Sequence, residues 1–123
     1  MKLTDAEEQL MDLIWENETI YMKDIIDSYP EPKPAPTTIA TLLKRMQNKG
    51  FVGYNLMGNS RQYFALVKKS DYFSKHVNGL IKNFFGSSAM QFASFFTKET
   101  NLSTKELEAL KEIVENEINR KKL

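Results

Sequence analysis

The chain has 123 residues and no cysteine, which excludes disulfide frameworks and thiolate metal sites. Its 17 basic and 16 acidic side chains nearly cancel, so total charge singles out no partner. No apolar run approaches the ~20 residues of a membrane span, and the acidic opening MKLTDAEEQL lacks the apolar stretch of a signal peptide; the expectation is a soluble, cytoplasmic protein of one ordinary domain, or a small domain with an extension.

The charge is unevenly spread. Residues 1–31 hold two basic and nine acidic side chains, residues 32–70 seven basic and none acidic, and residues 71–123 eight basic and seven acidic. A segment cleared of acid points to a face that binds a polyanion, against the plainer reading of a solvated lysine-rich surface.

In chain order, LTDAEEQLMDLIWEN predicts a helix opened by a capping box, Thr4 with Glu7. Ala6, Leu10, Leu13 and Ile14 recur at helical spacing and are expected to face a core. A short extended piece follows at Thr19–Tyr21, then a short helix over MKDIIDSY with Ile25, Ile26 and Tyr29 inward. The four prolines of PEPKPAP forbid helix and predict a stiff loop, with Pro36 suited to the first turn of the next helix. That third helix is predicted over about Thr37 to Asn48 and stops at Gly50. Its apolar face is Ile39, Leu42, Leu43 and Met46; its other face is Thr37, Thr38, Thr41, Lys44, Arg45 and Asn48. FVGYNLM and RQYFALV read as a hairpin joined by Gly58-Asn59-Ser60. Ser70 is placed to cap a helix from Asp71, interrupted at Gly86-Ser87-Ser88 and followed by the short apolar helix AMQFASFFT. The last helix opens with a second capping box, Ser103 with Glu106, and carries a stripe of Leu107, Leu110, Val114 and Ile118.

Two short helices, a third with one apolar and one hydroxyl-and-cation face, and a basic hairpin give the order of a helix-turn-helix with a wing. A helix lying in the DNA major groove needs such a division of faces, and an acid on the outer face would repel phosphates. Thr37, Thr38, Thr41 and Arg45 are the expected base readers, with Lys44, Lys49 and Arg61 on phosphates. The sequence thus predicts a mainly α fold with a small antiparallel hairpin: a winged helix-turn-helix at 1–70 for double-stranded DNA, and a helical dimerisation domain at 71–123. Six of eight phenylalanines fall between residues 73 and 96, more than a small monomer can cover. Phe73, Val77, Leu80, Phe84, Phe92, Phe95, Phe96, Leu107, Leu110 and Val114 are therefore the expected homodimer surface, matching an inverted-repeat operator. His76 is the only histidine, and no nucleophile, phosphate-loop or zinc spacing is present. Neither enzyme activity nor a metal or cofactor is expected.

Thr4–Trp15, Pro36–Val52 with Thr38, Ile39, Thr41, Leu43, Arg45, Met46, Lys49 and Gly50, the hairpin, and the C-terminal LSTKELEALKEIVENE together resemble the penicillinase-repressor family of winged-helix regulators, the BlaI/MecI/CopY type. The resemblance covers essentially the whole chain. It implies a dimeric repressor on an inverted-repeat operator, controlling β-lactam resistance or related genes and relieved when a membrane sensor protease leads to cleavage of the C-terminal region. In the family the cut falls at an Asn-Phe pair. Phe96 matches the Phe, while Phe95 stands where the Asn would be, so Phe95 and Phe96 mark the corresponding cleavage position. The wing departs from the family as well: Asn59 follows Gly58, Arg61 comes two places late, and Ala65 replaces a proline. The Cys-rich tail of the copper-responsive branch is absent. Two other readings are a ligand-responsive repressor with an effector pocket in the Phe-rich helices, and a winged helix used as a protein-interaction module.

Overall fold

The structure, a computed structural model, describes residues 2–123. The element order is α1 (Asp5–Trp15), β1 (Ile20–Tyr21), α2 (Met22–Ser28), α3 (Pro36–Asn48), β2 (Val52–Met57), β3 (Ser60–Ala65), α4 (Lys69–Phe84), α5 (Ala89–Glu99) and α6 (Thr104–Lys122). The fold is mainly helical with one small antiparallel sheet: α2 and α3 form the helix-turn-helix, and β2–β3 form the wing. The chain divides into two units, Met1–His76 and Val77–Leu123.

In the first unit, α1 opens with the predicted capping box: the Glu7 N–H donates to Thr4 Oγ1 at 3.2 Å and the Thr4 N–H to Glu7 Oε1 at 2.9 Å. Its buried stripe is Glu7, Leu10, Met11 and Ile14. This corrects the expected stripe, because Ala6 is exposed and Leu13 only half-buried. The spacing i, i+3, i+4, i+7 describes one helical face, and a carboxylate stands at its head. The apolar face of α3 is as predicted, with Ile39, Leu42, Leu43 and Met46 all buried against α1 and α2 residues such as Leu10, Ile14 and Ile25.

Helix α3 ends in a Schellman motif. The Phe51 N–H donates to Met46 O at 2.9 Å and the Gly50 N–H to Gln47 O at 3.0 Å, with Gly50 at φ 82°. A Cβ there would meet nothing within 4 Å, so Gly50→Ala tests conformation alone. It should cost about 1–2 kcal/mol in urea melts, the left-handed penalty of an L-residue; an unchanged midpoint would mean the turn relaxes without strain.

The sheet has the order β1-β3-β2. Ser60 pairs with Met57, so the wing turn is the two residues Gly58 and Asn59 rather than three. Gly58 takes φ 64°, as a two-residue hairpin demands of its first position. β1 adds the third strand, with Ile20 opposite Tyr63; a two-residue strand carries no periodicity by which its partner could be foreseen.

Helix α4 begins at Lys69, not Asp71, so Ser70 is not its cap: the Lys68 carbonyl accepts from the Tyr72 N–H at 3.1 Å. The position is set by neighbours. Trp15 Nε1 donates to Val67 O at 2.8 Å, and the Tyr72 hydroxyl accepts from the Leu3 N–H at 2.9 Å while donating to Glu8 at 2.7 Å. Phe73, expected on a dimer surface, is half-buried and packs on Trp15 and Tyr72, with centroids 6.0 and 5.1 Å away. These contacts carry the first unit through His76.

In the second unit, Gly86 and Ser87 take φ 58° and 64° and break the helical run where the sequence indicates. Ser88 then caps α5, accepting from the Gln91 N–H at 3.1 Å. Ser103 and Glu106 form the second capping box on α6. Phe85 packs on Phe92 and Phe95 at 5.5 Å each. No described residue of α5 or α6 is buried, and Phe84, Phe95, Val114 and Ile118 are each roughly half or more exposed. Among the described residues no helix is long and apolar enough to cross a membrane.

Candidate nucleic-acid interface

The outer face of α3 presents Thr37, Thr38, Thr41, Lys44, Arg45 and Asn48, all exposed, on a helix whose inner face is locked in the core. Its first turn carries no acid, and Ala35 at the cap makes no side-chain hydrogen bond, so the positive end of the helix dipole is uncompensated. The Thr41 hydroxyl donates to Thr37 O at 2.9 Å. Thr41 therefore turns inward its one donor and offers its hydroxyl lone pairs and its methyl group.

The wing places Arg61 on the same sheet face as Tyr54, with its guanidinium carbon 4.3 Å from the Tyr54 ring centroid. Cation–π stacking of this kind holds a long side chain in one orientation at modest cost. Between α3 and the wing lies a groove of about 570 Å³, lined by Lys44, Gln47, Asn48, Tyr54, Arg61 and Tyr63, together with Met22 and Ala40. Lys44 on the helix and Arg61 on the hairpin are the two cations of this groove, and no acid lines it.

The acid-free segment is less uniformly available than its sequence suggests. Lys33 donates to the carbonyls of Asp27 and Tyr29 and so closes the end of α2. Lys69 sits 3.5 Å from Asp12. Lys49, expected on phosphate, donates to both carboxylate oxygens of Glu7 at 2.9 Å each, leaving one of its three N–H donors. Arg45 Nη1 stands 3.9 Å from the same carboxylate, with its side chain about half exposed. Among the described residues, Lys44 and Lys68 make no ion pair.

Glu7 and Tyr54 are the site residues that sequence reasoning missed. Burial by itself would push the Glu7 carboxyl up. The Lys49 ammonium and the Thr4 hydrogen bonds outweigh that and hold it below its ordinary value of 4.5. A group whose folded pKa is depressed stabilises above its unfolded value and loses that contribution as pH falls through the folded one. Thermal melts should therefore weaken as pH drops below 4.5. Glu106 and Glu117 are also held low, by Ser103 and by Arg120, and act in the same window. Comparison with Glu7→Gln isolates the buried group: its melting temperature should fall less steeply than that of the parent, and parallel curves would assign the acid response elsewhere.

The assembly of a buried helix-turn-helix, an acid-free outer helix face and a cation-bearing wing is that of a winged-helix DNA-binding protein. The penicillinase-repressor family model matches residues 3–116. The chain belongs to that family, one of DNA-binding transcriptional repressors and not of enzymes. It is 27% identical over 122 residues to the penicillinase repressor of Bacillus licheniformis, covering 98% of this chain and 95% of that one. It is 28% identical over 114 residues to the methicillin resistance regulatory protein MecI of Staphylococcus aureus, covering 92% and 93%. The solution structure of the Bacillus licheniformis BlaI monomer in complex with the blaP half-operator superposes with a TM-score of 0.50 at 29% identity, over 58% of this chain and 89% of that one.

Proposed function

We propose that the chain is a homodimeric repressor that reads an inverted-repeat operator with two copies of α3 and its wing. The observation that carries the reading is the Lys44–Arg61 groove, free of acid and set beside the exposed face of α3. In this arrangement Arg45, Thr37, Thr38 and Thr41 meet base edges. Lys44 and Arg61 hold phosphates, while Lys49, expected beside them, is engaged by the Glu7 carboxylate. The similarity to BlaI, solved on a half-operator, supports this placement.

Dimerisation is assigned to the second unit. Val77, Leu80 and Phe84 lie on α4 beyond its buried Tyr72, and Phe92, Phe95, Phe96, Leu107, Leu110 and Val114 on α5 and α6, which bury no residue; a partner copy would remove that apolar surface from water. Phe95 and Phe96 are both more than a third exposed on α5. Relief of repression by cleavage there requires α5 to unwind, and with Phe95 in the Asn place the protease must accept a different residue before the cut. The regulated genes are proposed to be those of β-lactam resistance or a related response.

Sedimentation tests the dimer. The protein alone should run at twice its chain mass at micromolar concentration. Val114→Glu with Leu107→Glu should run as a monomer and still bind one half-site weakly. A wild-type monomer that binds a two-site operator no better than a half-site would refute the dimeric reading.

A further inference from the structure

Glu7 is wholly buried, yet it lies beneath the helix whose outer face is proposed to meet DNA. It faces two of that segment's cations at once: Lys49 at 2.9 Å through both oxygens and Arg45 at 3.9 Å. Its capping role needs only one oxygen and the Thr4 N–H. A neutral glutamine would cap as well, so capping does not explain why a charge is kept in the core.

We infer that Glu7 is a specificity-determining positioning residue: it withdraws Lys49 from the DNA backbone and holds the Arg45 guanidinium in the orientation that reads a base. The inference rests on the DNA-binding reading above. The physical argument is electrostatic. A lysine at the end of an acid-free helix is a sequence-blind phosphate binder, and each phosphate neutralised adds ~0.9 to the salt slope of binding to any duplex. Pairing Lys49 with a buried carboxylate removes that contribution from random DNA and specific DNA alike. Arg45, tethered at 3.9 Å and still half exposed, keeps nitrogens for a base edge while losing freedom to wander along the backbone.

The test measures binding of the full chain to its own promoter fragment and to scrambled DNA over a salt series, for the parent, Glu7→Gln, and Glu7→Gln with Lys49→Gln. Glu7→Gln should bind scrambled DNA about fivefold tighter per subunit near ~150 mM salt, or about thirtyfold for the dimer, the gain from one more released counterion per subunit. Its slope should steepen by ~1 per subunit, and its promoter preference should fall. The double variant should return slope and scrambled-DNA affinity to the parent's, because the freed lysine is gone. A Glu7→Gln slope equal to the parent's would overturn the inference. So would a double variant whose slope is shallower than the parent's by ~1 per subunit, since Lys49 would then contact phosphate in the parent. Should Glu7→Gln alone not fold by circular dichroism, the double variant decides by the same slope comparison. A parent that shows no salt-dependent DNA binding overturns both this inference and the reading on which it rests, whereas a parent that binds while Glu7→Gln leaves its slope unmoved overturns the inference alone.

Discussion

Lys49→Met should destabilise the first unit by about 3 kcal/mol at neutral pH, the lower end of the ~3–5 kcal/mol cost of breaking a buried ion pair. Methionine keeps the unbranched stem and its packing, so the loss is that of the cation. The Glu7 carboxylate, fully buried, would then face only Arg45 at 3.9 Å and the Thr4 N–H. The lower end applies because the Lys49 side chain is 26% exposed and water reaches its ammonium. The penalty should shrink in acid, where the orphaned carboxyl protonates. Urea melts at pH 7 and pH 4 check both statements. A change under ~1 kcal/mol at pH 7 would class the pair with surface salt bridges of little worth.

Arg45→Ala should weaken binding to the specific operator by about 1–3 kcal/mol per half-site, roughly fivefold to 150-fold, while leaving scrambled DNA nearly unaffected. Among the outer-face cations of α3, Arg45 alone is both exposed and oriented from below, through Glu7. Guanidinium recognition of guanine depends on that orientation, because two hydrogen bonds must form at once. Lys44→Ala, by contrast, should reduce affinity for both DNAs alike and lower the salt slope by ~1 per half-site. Equal losses for Arg45→Ala on both DNAs would move Arg45 to the phosphates.

Local signals were read well from the sequence. Both capping boxes, the proline loop, the Gly50 stop and the apolar face of α3 depend on residues within a turn or two of one another, and the structure reproduces each. What depends on distant partners was not legible. Glu7 was read as a cap alone because its other partner, Lys49, lies 42 residues away. Its place on the stripe with Leu10, Met11 and Ile14 is the available signal: an acid at i of an i, i+3, i+4, i+7 apolar set needs a partner for its buried charge. The register of α1 is hidden for the same reason, since Ala6 looks more like a core residue than Glu7 does, although Glu7 is the buried one. The sequence neighbours of Phe73 point to a dimer surface; its packing on Trp15, a partner far away in the chain, is not legible there. Tyr54 was seen only as a strand residue. Its contact with Arg61 follows from the hairpin register, which sets Leu56 opposite Arg61 and leaves Tyr54 diagonal to it on the same face.

The most direct measurement is binding of the purified chain to its own promoter fragment and to scrambled DNA across salt. The account predicts a promoter preference of about 10³-fold or more. It also predicts a loss of roughly 10³–10⁵ in affinity between ~50 and ~200 mM salt, as for a dimer neutralising ~6–10 phosphates. Absence of binding even at the lowest salt would contradict the assignment of α3 and the wing as a DNA-reading surface.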